Sequence, residues 1–376
     1  MSNDQKAKRQ QSKNSRKGAV EDIAISVLQD QLRESAQNDS NSSALWVADE
    51  HPHPASLFSD LAQTKAVFLS NRFDQYQAAK NAGAESYFSD IDLSVASDHA
   101  VKNIFSRVAK ERPLVHWVIN EAFNLLPAGG SLWLSGYKNE GIKTHITRAE
   151  TAFGAKAEVT RYKSQLLKAK LTKQENTGTA LDNENYSILR QVETGGFSFW
   201  TKPGLYGWNK VDQGSKLLMD FLEEQSISFA GKKILDLGCG YGYLSMRAID
   251  LGAENIVATD NCAAALAACG KNLSEQNIQT EIVPSDAGSE VSGVFDMILC
   301  NPPFHQGFST TSSLHEQFIE QTKRLLSPSG SAYYVVNQFL DIEGITEITE
   351  LSYHEMNKTQ SFKLVLLNKQ NSAQKN

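Results

Sequence analysis

Only four cysteines occur in the 376 residues, at 239, 262, 269 and 300. They are too few and too unevenly spaced for a disulfide framework, and no C-x-x-C pair offers a zinc site. A reduced cytosolic setting is the expectation. No uninterrupted apolar run is long enough to span a bilayer, and the opening MSNDQKAKRQQSKNSRK carries positive charge without the apolar segment of a secretion signal. We therefore expect a soluble, unexported, cytoplasmic protein with no membrane contact. An excess of basic charge is also missing: 37 Lys and Arg stand against 43 Asp and Glu, a formal net charge of −6. Any nucleic-acid binding must then rest on local patches. What the chain does have is 40% hydrophobic residues, enough to bury a sizeable core, at a length that favours two domains.

The charge is unevenly spread. Residues 1–18 hold six basic side chains and one acidic, a local balance of +5 that leaves −11 for the remainder. This Gln/Ser/Asn/Lys-rich segment has almost no apolar content, so it cannot offset its ordering entropy and is expected to be a disordered basic tail. An RNA-touching arm and a solubilising tail are its two readings. From Val20 an amphipathic pattern through Ile23, Val27, Leu28 and Leu32 predicts a helix that ends in the polar stretch 35–43.

Two stretches then alternate short apolar runs with helical ones, the mark of an α/β layer architecture. In the first, 44–48, 66–70 and 131–135 read as strands and 113–126 as a helix. In the second, strands are predicted over 233–237, 255–260, 281–284, 296–300 and 331–337, with helices including 243–251, 262–276 and 313–326. A local echo joins the halves: LLPAGGSLWL at 125–134 lines up with LLSPSGSAYY at 325–334. Each is a helix ending, a Pro/Gly turn and a buried strand. We expect two related domains, 19–180 and 186–376, with the polar run 175–184 as linker.

The first chemical signal is KILDLGCGYG at 233–242. An apolar strand delivers Asp236 and then Gly238, Gly240 and Gly242, directly before a helix. Glycine lets the backbone turn tightly and approach a ligand whose polar groups meet the following helix amides. The spacing is G-x-G-x-G rather than the dinucleotide G-x-G-x-x-G, and a plain tight β–α turn is the alternative reading of the loop. The next strand ends in Asp260, about twenty residues after the loop, where a carboxylate can accept from both ribose hydroxyls of an adenosyl cofactor. NAD and S-adenosylmethionine both carry such a ribose, and a helix N-cap is the plainer role for Asp260. Asp286, past the third strand, is placed to accept from an adenine amino group or to serve as a turn aspartate.

The deciding signal is DMILCNPPFH at 296–305. An exocyclic amine on a base is a poor nucleophile because its lone pair is delocalised. The Asn301 side-chain oxygen and the Pro302 carbonyl can each accept one N–H, turning the lone pair toward an electrophilic methyl. Two prolines fix φ and preset those acceptors. Phe304 offers a face on which a base can stack. A stiff strand-ending turn is the bland alternative.

On these residues the stretch 231–340 resembles the class I S-adenosylmethionine-dependent methyltransferases that modify amino groups. With PGLY at 203–206, VDQGSKLL at 211–218 and His305, the chain is similar to the bacterial ribosomal RNA guanine-N2 methyltransferases. The likeness is above all to the small-subunit (16S) enzymes, with the large-subunit (23S) enzymes as neighbours. The resemblance implies two tandem Rossmann-like domains with mostly parallel seven-stranded sheets. The N-terminal copy would be degenerate and help hold RNA. Consistent with this, the first half has no G-x-G-x-G after its opening strand and no Asn-Pro-Pro. The resemblance further implies S-adenosyl-L-methionine as cofactor, bound by Asp236, Gly238, Gly240, Gly242, Asp260, Asp286 and Asn301. Asn301, Pro302 and Phe304 would carry catalysis, His305 would meet base or phosphate, and Asp212, Gly214 and Ser215 would close the cofactor pocket.

Direct in-line transfer needs no covalent nucleophile, so the cysteines read as small apolar residues. No metal is expected, and His51 and His53, in His-Pro-His-Pro, read as a loop rather than a ligand pair. For RNA contact the candidate is 156–173, where Lys156, Arg161, Lys163, Lys168, Lys170 and Lys173 gather; Arg161 and Lys163 are the named substrate-binding pair. A monomer acting on the RNA of the small ribosomal subunit is the expected assembly. The alternatives are a 23S RNA guanine-N2 enzyme, a release-factor glutamine methyltransferase, a DNA adenine-N6 enzyme and a non-catalytic RNA-binding assembly factor.

Overall fold

The computed structural model describes residues 22–38, 43–175, 178–194, 196–276, 278–303 and 310–370. The basic tail expected over 1–18 lies outside them. The chain divides into two units: Met1–Ser70, Gln75–Tyr87 and Ile91–Asn183 form the first, and Glu184–Asn376 with Asn71–Asp74 and Phe88–Asp90 forms the second.

In chain order the helices are α1 (Ile23–Asn38), α2 (Ala55–Thr64), α3 (Phe73–Asn81), α4 (Arg112–Leu125), α5 (Ile142–Phe153), α6 (Gln213–Glu224), α7 (Tyr243–Asp250), α8 (Ala263–Ser274), α9 (Thr310–Leu325) and α10 (Ile342–Thr349). The strands of the first sheet are β1 (Ser43–Ala48), β2 (Val67–Ser70), β3 (Ser86–Phe88), β4 (Val101–Arg107), β5 (Ser131–Tyr137), β6 (Glu158–Arg161) and β7 (Leu166–Thr172). A hairpin follows, β8 (Arg190–Thr194) and β9 (Phe197–Thr201). The second sheet comprises β10 (Lys233–Leu237), β11 (Asn255–Asp260), β12 (Gln279–Pro284), β13 (Phe295–Cys300), β14 (Leu326–Asn337), β15 (Leu351–Lys358) and β16 (Phe362–Lys369).

The first sheet runs β3-β2-β1-β4-β5-β7-β6 and the second β12-β11-β10-β13-β14-β16-β15. The two orders are the same once nine is added to each strand number. In both, β7 or its counterpart β16 pairs antiparallel while the central strands are parallel. The tandem, mostly parallel seven-stranded fold expected from the resemblance is borne out. The echo at 125–134 and 325–334 falls on β5 and β14, the same place in each sheet.

Parallel strands with helices on both faces must be apolar on both, which is why β10 and β11 read from sequence to the residue. Along β13 the side chains alternate between two cores: Met297 and Leu299 pack on one face with Leu218, Met219 and Val335. Ile298 and Cys300 pack on the other with Phe318, Ile319 and Tyr334. Burial of each such aliphatic side chain contributes about 1.5–3 kcal/mol.

In the first unit, the place of the glycine turn is taken by the chain's own side chains. Past β1, Gln75 donates from Nε2 to the carbonyls of Asp49 at 3.0 Å and His51 at 2.9 Å. Trp46 donates its indole N–H to His53 Nε2 at 3.1 Å. Burial pushes His53 down to about 4, so at neutral pH it is an uncharged acceptor. The polar run expected as linker is pinned rather than loose: Asn120 exchanges two 2.9 Å hydrogen bonds with the backbone of Leu181.

Candidate active site

Strand register brings the sequence signals to one edge. Leu237 stands opposite Thr259 on one side and Cys300 on the other. The residues one step further on, Gly238, Asp260 and Asn301, therefore leave the sheet side by side at the carboxyl ends of three neighbouring strands. At about 4.8 Å per strand, Asp260 and Asn301 flank the glycine turn about 10 Å apart. This is the switch point of a doubly wound sheet, where such folds hold ligands.

The turn is built from its backbone. Gly238 N and Cys239 N both donate to the Thr259 carbonyl at 2.9 Å, and Gly242 N donates to Cys239 O at 2.8 Å. Gly238, Gly240 and Gly242 have φ of +82°, +54° and +92°, left-handed values that glycine takes without strain. At Gly242 a Cβ would sit 2.9 Å from Cys269 Sγ, so that glycine is needed for close helix packing. At Gly240 a Cβ would meet nothing within 4 Å, which leaves room there for a ligand.

Two carboxylates brace the turn. Asp236 is fully buried. Its Oδ2 accepts from Ser245 N at 3.0 Å and Ser245 Oγ at 2.6 Å, which fastens the start of α7 to β10. Its Oδ1 has no hydrogen-bond partner among the described residues. Burial raises Asp236 to about 7, with the Ser245 hydrogen bonds pulling it back and Asp260 adding repulsion. Asp260 Oδ2 accepts from Gly240 N and its Oδ1 from Cys262 N, both at 2.9 Å. A carboxylate offers about four acceptor positions, so capacity for a ligand hydroxyl remains beside these backbone donors. Burial raises the Asp260 pKa as well. The N-cap of α8 is Cys262 rather than Asp260, but Asp260 holds the backbone just before that helix while also bracing the glycine turn.

Asp286 accepts from Asn261 Nδ2 at 3.2 Å. Asn261 is held in turn by residues 71–74 of the same unit: Phe73 N donates to its carbonyl at 2.8 Å and Asp74 N to its Oδ1 at 2.9 Å. Burial raises the Asp286 pKa, Asp74 adds to the rise, and Arg72 offsets it. Nothing local in the sequence marks residues 71–74 as part of this edge, because the partner lies almost two hundred positions away.

Asn301 donates from Nδ2 to Asp212 Oδ1 and to Ser215 Oγ, both at 2.8 Å. Asp212 also caps α6, accepting from Ser215 N at 2.9 Å. Pro302 is buried and Pro303 exposed. Phe304 and His305 lie outside the described residues. Thus Asp236, the three glycines, Asp260, Asp286 and Asn301 gather at one edge, joined by Asp212 and Ser215.

The basic stretch is sorted differently. Lys156 pairs with Glu150 at 3.1 Å and Lys170 with Glu158 at 3.5 Å. Lys168 donates to Gln31 at 2.8 Å, and Lys173 caps the end of α4 through the carbonyls of Phe123 and Leu126. Arg161 and Lys163 are exposed and flank the partly exposed ring of Tyr162. The four cysteines are free thiols, three of them buried. Among the described residues no three His, Cys, Asp or Glu side chains gather as a metal site, and no helix is long and apolar enough to cross a membrane.

Residues 196–366 match the family model of the methyltransferase small domain. Over 323 residues the chain is 26% identical to the ribosomal RNA small subunit methyltransferase C of Marinomonas sp. (strain MWYL1), spanning 81% of this chain and 91% of that protein. It is 25% identical over 317 residues to the protein of the same name from Pasteurella multocida (strain Pm70), spanning 82% and 94%. Among solved structures it superposes on the T. thermophilus 16S rRNA N2 G1207 methyltransferase RsmC, in complex with AdoMet and guanosine. The TM-score is 0.75 at 23% identity, with 91% of each chain covered. That last likeness is one of fold.

Proposed function

We propose that this chain methylates the exocyclic N2 amine of a guanine in the 16S RNA of the small ribosomal subunit, using S-adenosylmethionine. The observation that carries the chemistry is Asn301 at the end of β13, one strand from the glycine turn, with both amide hydrogens engaged at 2.8 Å. The small-subunit RNA methyltransferases that match over about four fifths of the chain support the choice of substrate.

The residues fit the cofactor. The room at Gly240 and the spare lone pairs of Asp260 suit an adenosyl group, and the unpartnered oxygen of Asp236 suits a cationic one. Bound S-adenosylmethionine supplies a sulfonium methyl: as the N–C bond forms the C–S bond breaks, its electron pair stays on sulfur as a thioether, and the amine proton leaves to water. The protein's part is placement. Asn301 Oδ1 and the Pro302 carbonyl accept the two N–H bonds of the guanine amine and turn its lone pair toward the methyl. Phe304 stacks on the base, and His305 meets the base or a phosphate. The guanine must be unstacked to reach this corner, which favours a loop or opened helix. The first unit helps hold the RNA, with Arg161 and Lys163 on phosphates. We place the protein in the cytoplasm with its substrate, acting as a monomer.

The test is transfer of labelled methyl from the cofactor to separated ribosomal subunits, followed by nucleoside analysis. N2-methylguanosine in small-subunit RNA is the expected product, and Asn301→Ala is expected to lower kcat by about 100-fold or more. Parental activity in Asn301→Ala, or label found only as N6-methyladenosine, contradicts this reading.

A further inference from the structure

An asparagine amide has two nearly equal faces, and its terminal torsion is soft and roughly two-fold. Rotated by half a turn, Asn301 would present N–H groups to the N–H groups of its target. Its partners decide the matter. A carboxylate can only accept, so the Asn301 atom 2.8 Å from Asp212 Oδ1 is the amide nitrogen. The second hydrogen goes to Ser215 Oγ at 2.8 Å. Both amide hydrogens are consumed, which leaves Oδ1 as the atom available to an outside donor.

The two partners are themselves fixed. Asp212 is the N-cap of α6, its carboxylate accepting from Ser215 N at 2.9 Å. Between them, a Cβ on Gly214 would stand 3.1 Å from the Phe362 ring and 3.3 Å from Val335 Cγ2, so the helix start is seated tightly on β14 and β16. One carboxylate oxygen therefore closes a ring of contacts from helix cap to Asn301.

We propose that Asp212 and Ser215 are positioning residues that lock the Asn301 amide with its oxygen toward the target amine. This rests on the reading of Asn301 as the amine's acceptor. The helix start sets the rate of methyl transfer through Asn301.

Two variants separate this from capping and packing. Asp212→Ser keeps a cap oxygen for Ser215 N but shortens its reach toward Asn301. Ser215→Ala keeps the backbone donor and removes the hydroxyl. Each is measured for total methyl transfer to small subunits, alone and combined with Asn301→Ala, beside calorimetric titration with S-adenosylmethionine. The expected result is a fall in kcat of about 10- to 100-fold that clearly exceeds any weakening of cofactor binding. In the Asn301→Ala background neither substitution should cost anything more, since residues that act through one another are not additive. Losses that multiply in that background, or cofactor affinity that falls in step with kcat, overturn the lock. An additive cycle with N2-methylguanosine as product sinks the lock and leaves the guanine reading intact. A non-additive cycle with another methylated amine as product does the reverse, and absence of transfer by the parental protein overturns both.

Discussion

A carboxyl group that ionises near neutrality inside a protein makes folding sensitive to pH, and Asp236 is such a group. Its pKa rises from an ordinary 3.8 to about 7 because burial disfavours the charge. The folded state then holds the proton more tightly than the unfolded chain, so the stabilisation is complete below pH 3.8 and is lost as pH climbs through 7. Relative to Asp236→Asn, whose amide keeps an oxygen for Ser245, the ligand-free parental protein should lose melting temperature from about pH 4 to pH 7 and run parallel above. A difference that stays constant across that range contradicts the assignment. Asp236, Asp260 and Asn301 were legible in the sequence because each interrupts or follows a short apolar run near the carboxyl end of a strand, where a polar residue needs a reason. The partners of Asn301 were not, since 86 and 89 positions separate it from Ser215 and Asp212. The resemblance implies for those two only closure of the cofactor pocket.

At the scale of elements, the strands buried on both faces announced themselves and the others did not. β7 alternates buried leucines with half-buried lysines, β4 includes Lys102 and Asn103, and β6 is exposed throughout. None makes an unbroken apolar run: the antiparallel β6 and β7 need none, and β4, a central parallel strand, has its apolar stretch cut short by the polar pair near its start. The β8–β9 hairpin was invisible for another reason: much of its anchoring comes from a polar residue in α8. Asn272, buried, accepts from Trp200 N at 2.6 Å and donates to Trp200 O at 2.9 Å and Tyr241 O at 2.8 Å. One side chain thus ties the hairpin, α8 and the glycine turn together. Asn272→Leu, which keeps the branching and heavy-atom count, strands three backbone groups and should cost about 3 kcal/mol. In a unit of this size that is roughly 6–12 °C of melting temperature by calorimetry. Cofactor affinity should weaken as Tyr241 is released, and a melting temperature within a degree of parental rules this anchor out.

For the whole molecule, a net charge of −6 on a protein proposed to bind RNA makes local cations decisive. Four of the six basic side chains in 156–173 are committed to carboxylates, carbonyls or an amide, so Arg161 and Lys163 are the pair proposed for phosphate contact. Arg161→Glu with Lys163→Glu should weaken small-subunit RNA binding and flatten the plot of log affinity against log salt by about 1.5, while S-adenosylmethionine titrates as before. An unchanged slope would move the RNA footprint elsewhere. The repeated strand order has a consequence for biosynthesis. Every strand of the first sheet lies between residues 43 and 172, so all its pairings are within reach before the glycine turn has been translated. The front copy can therefore assemble during elongation, while the nascent chain is still attached to the kind of particle it is proposed to modify.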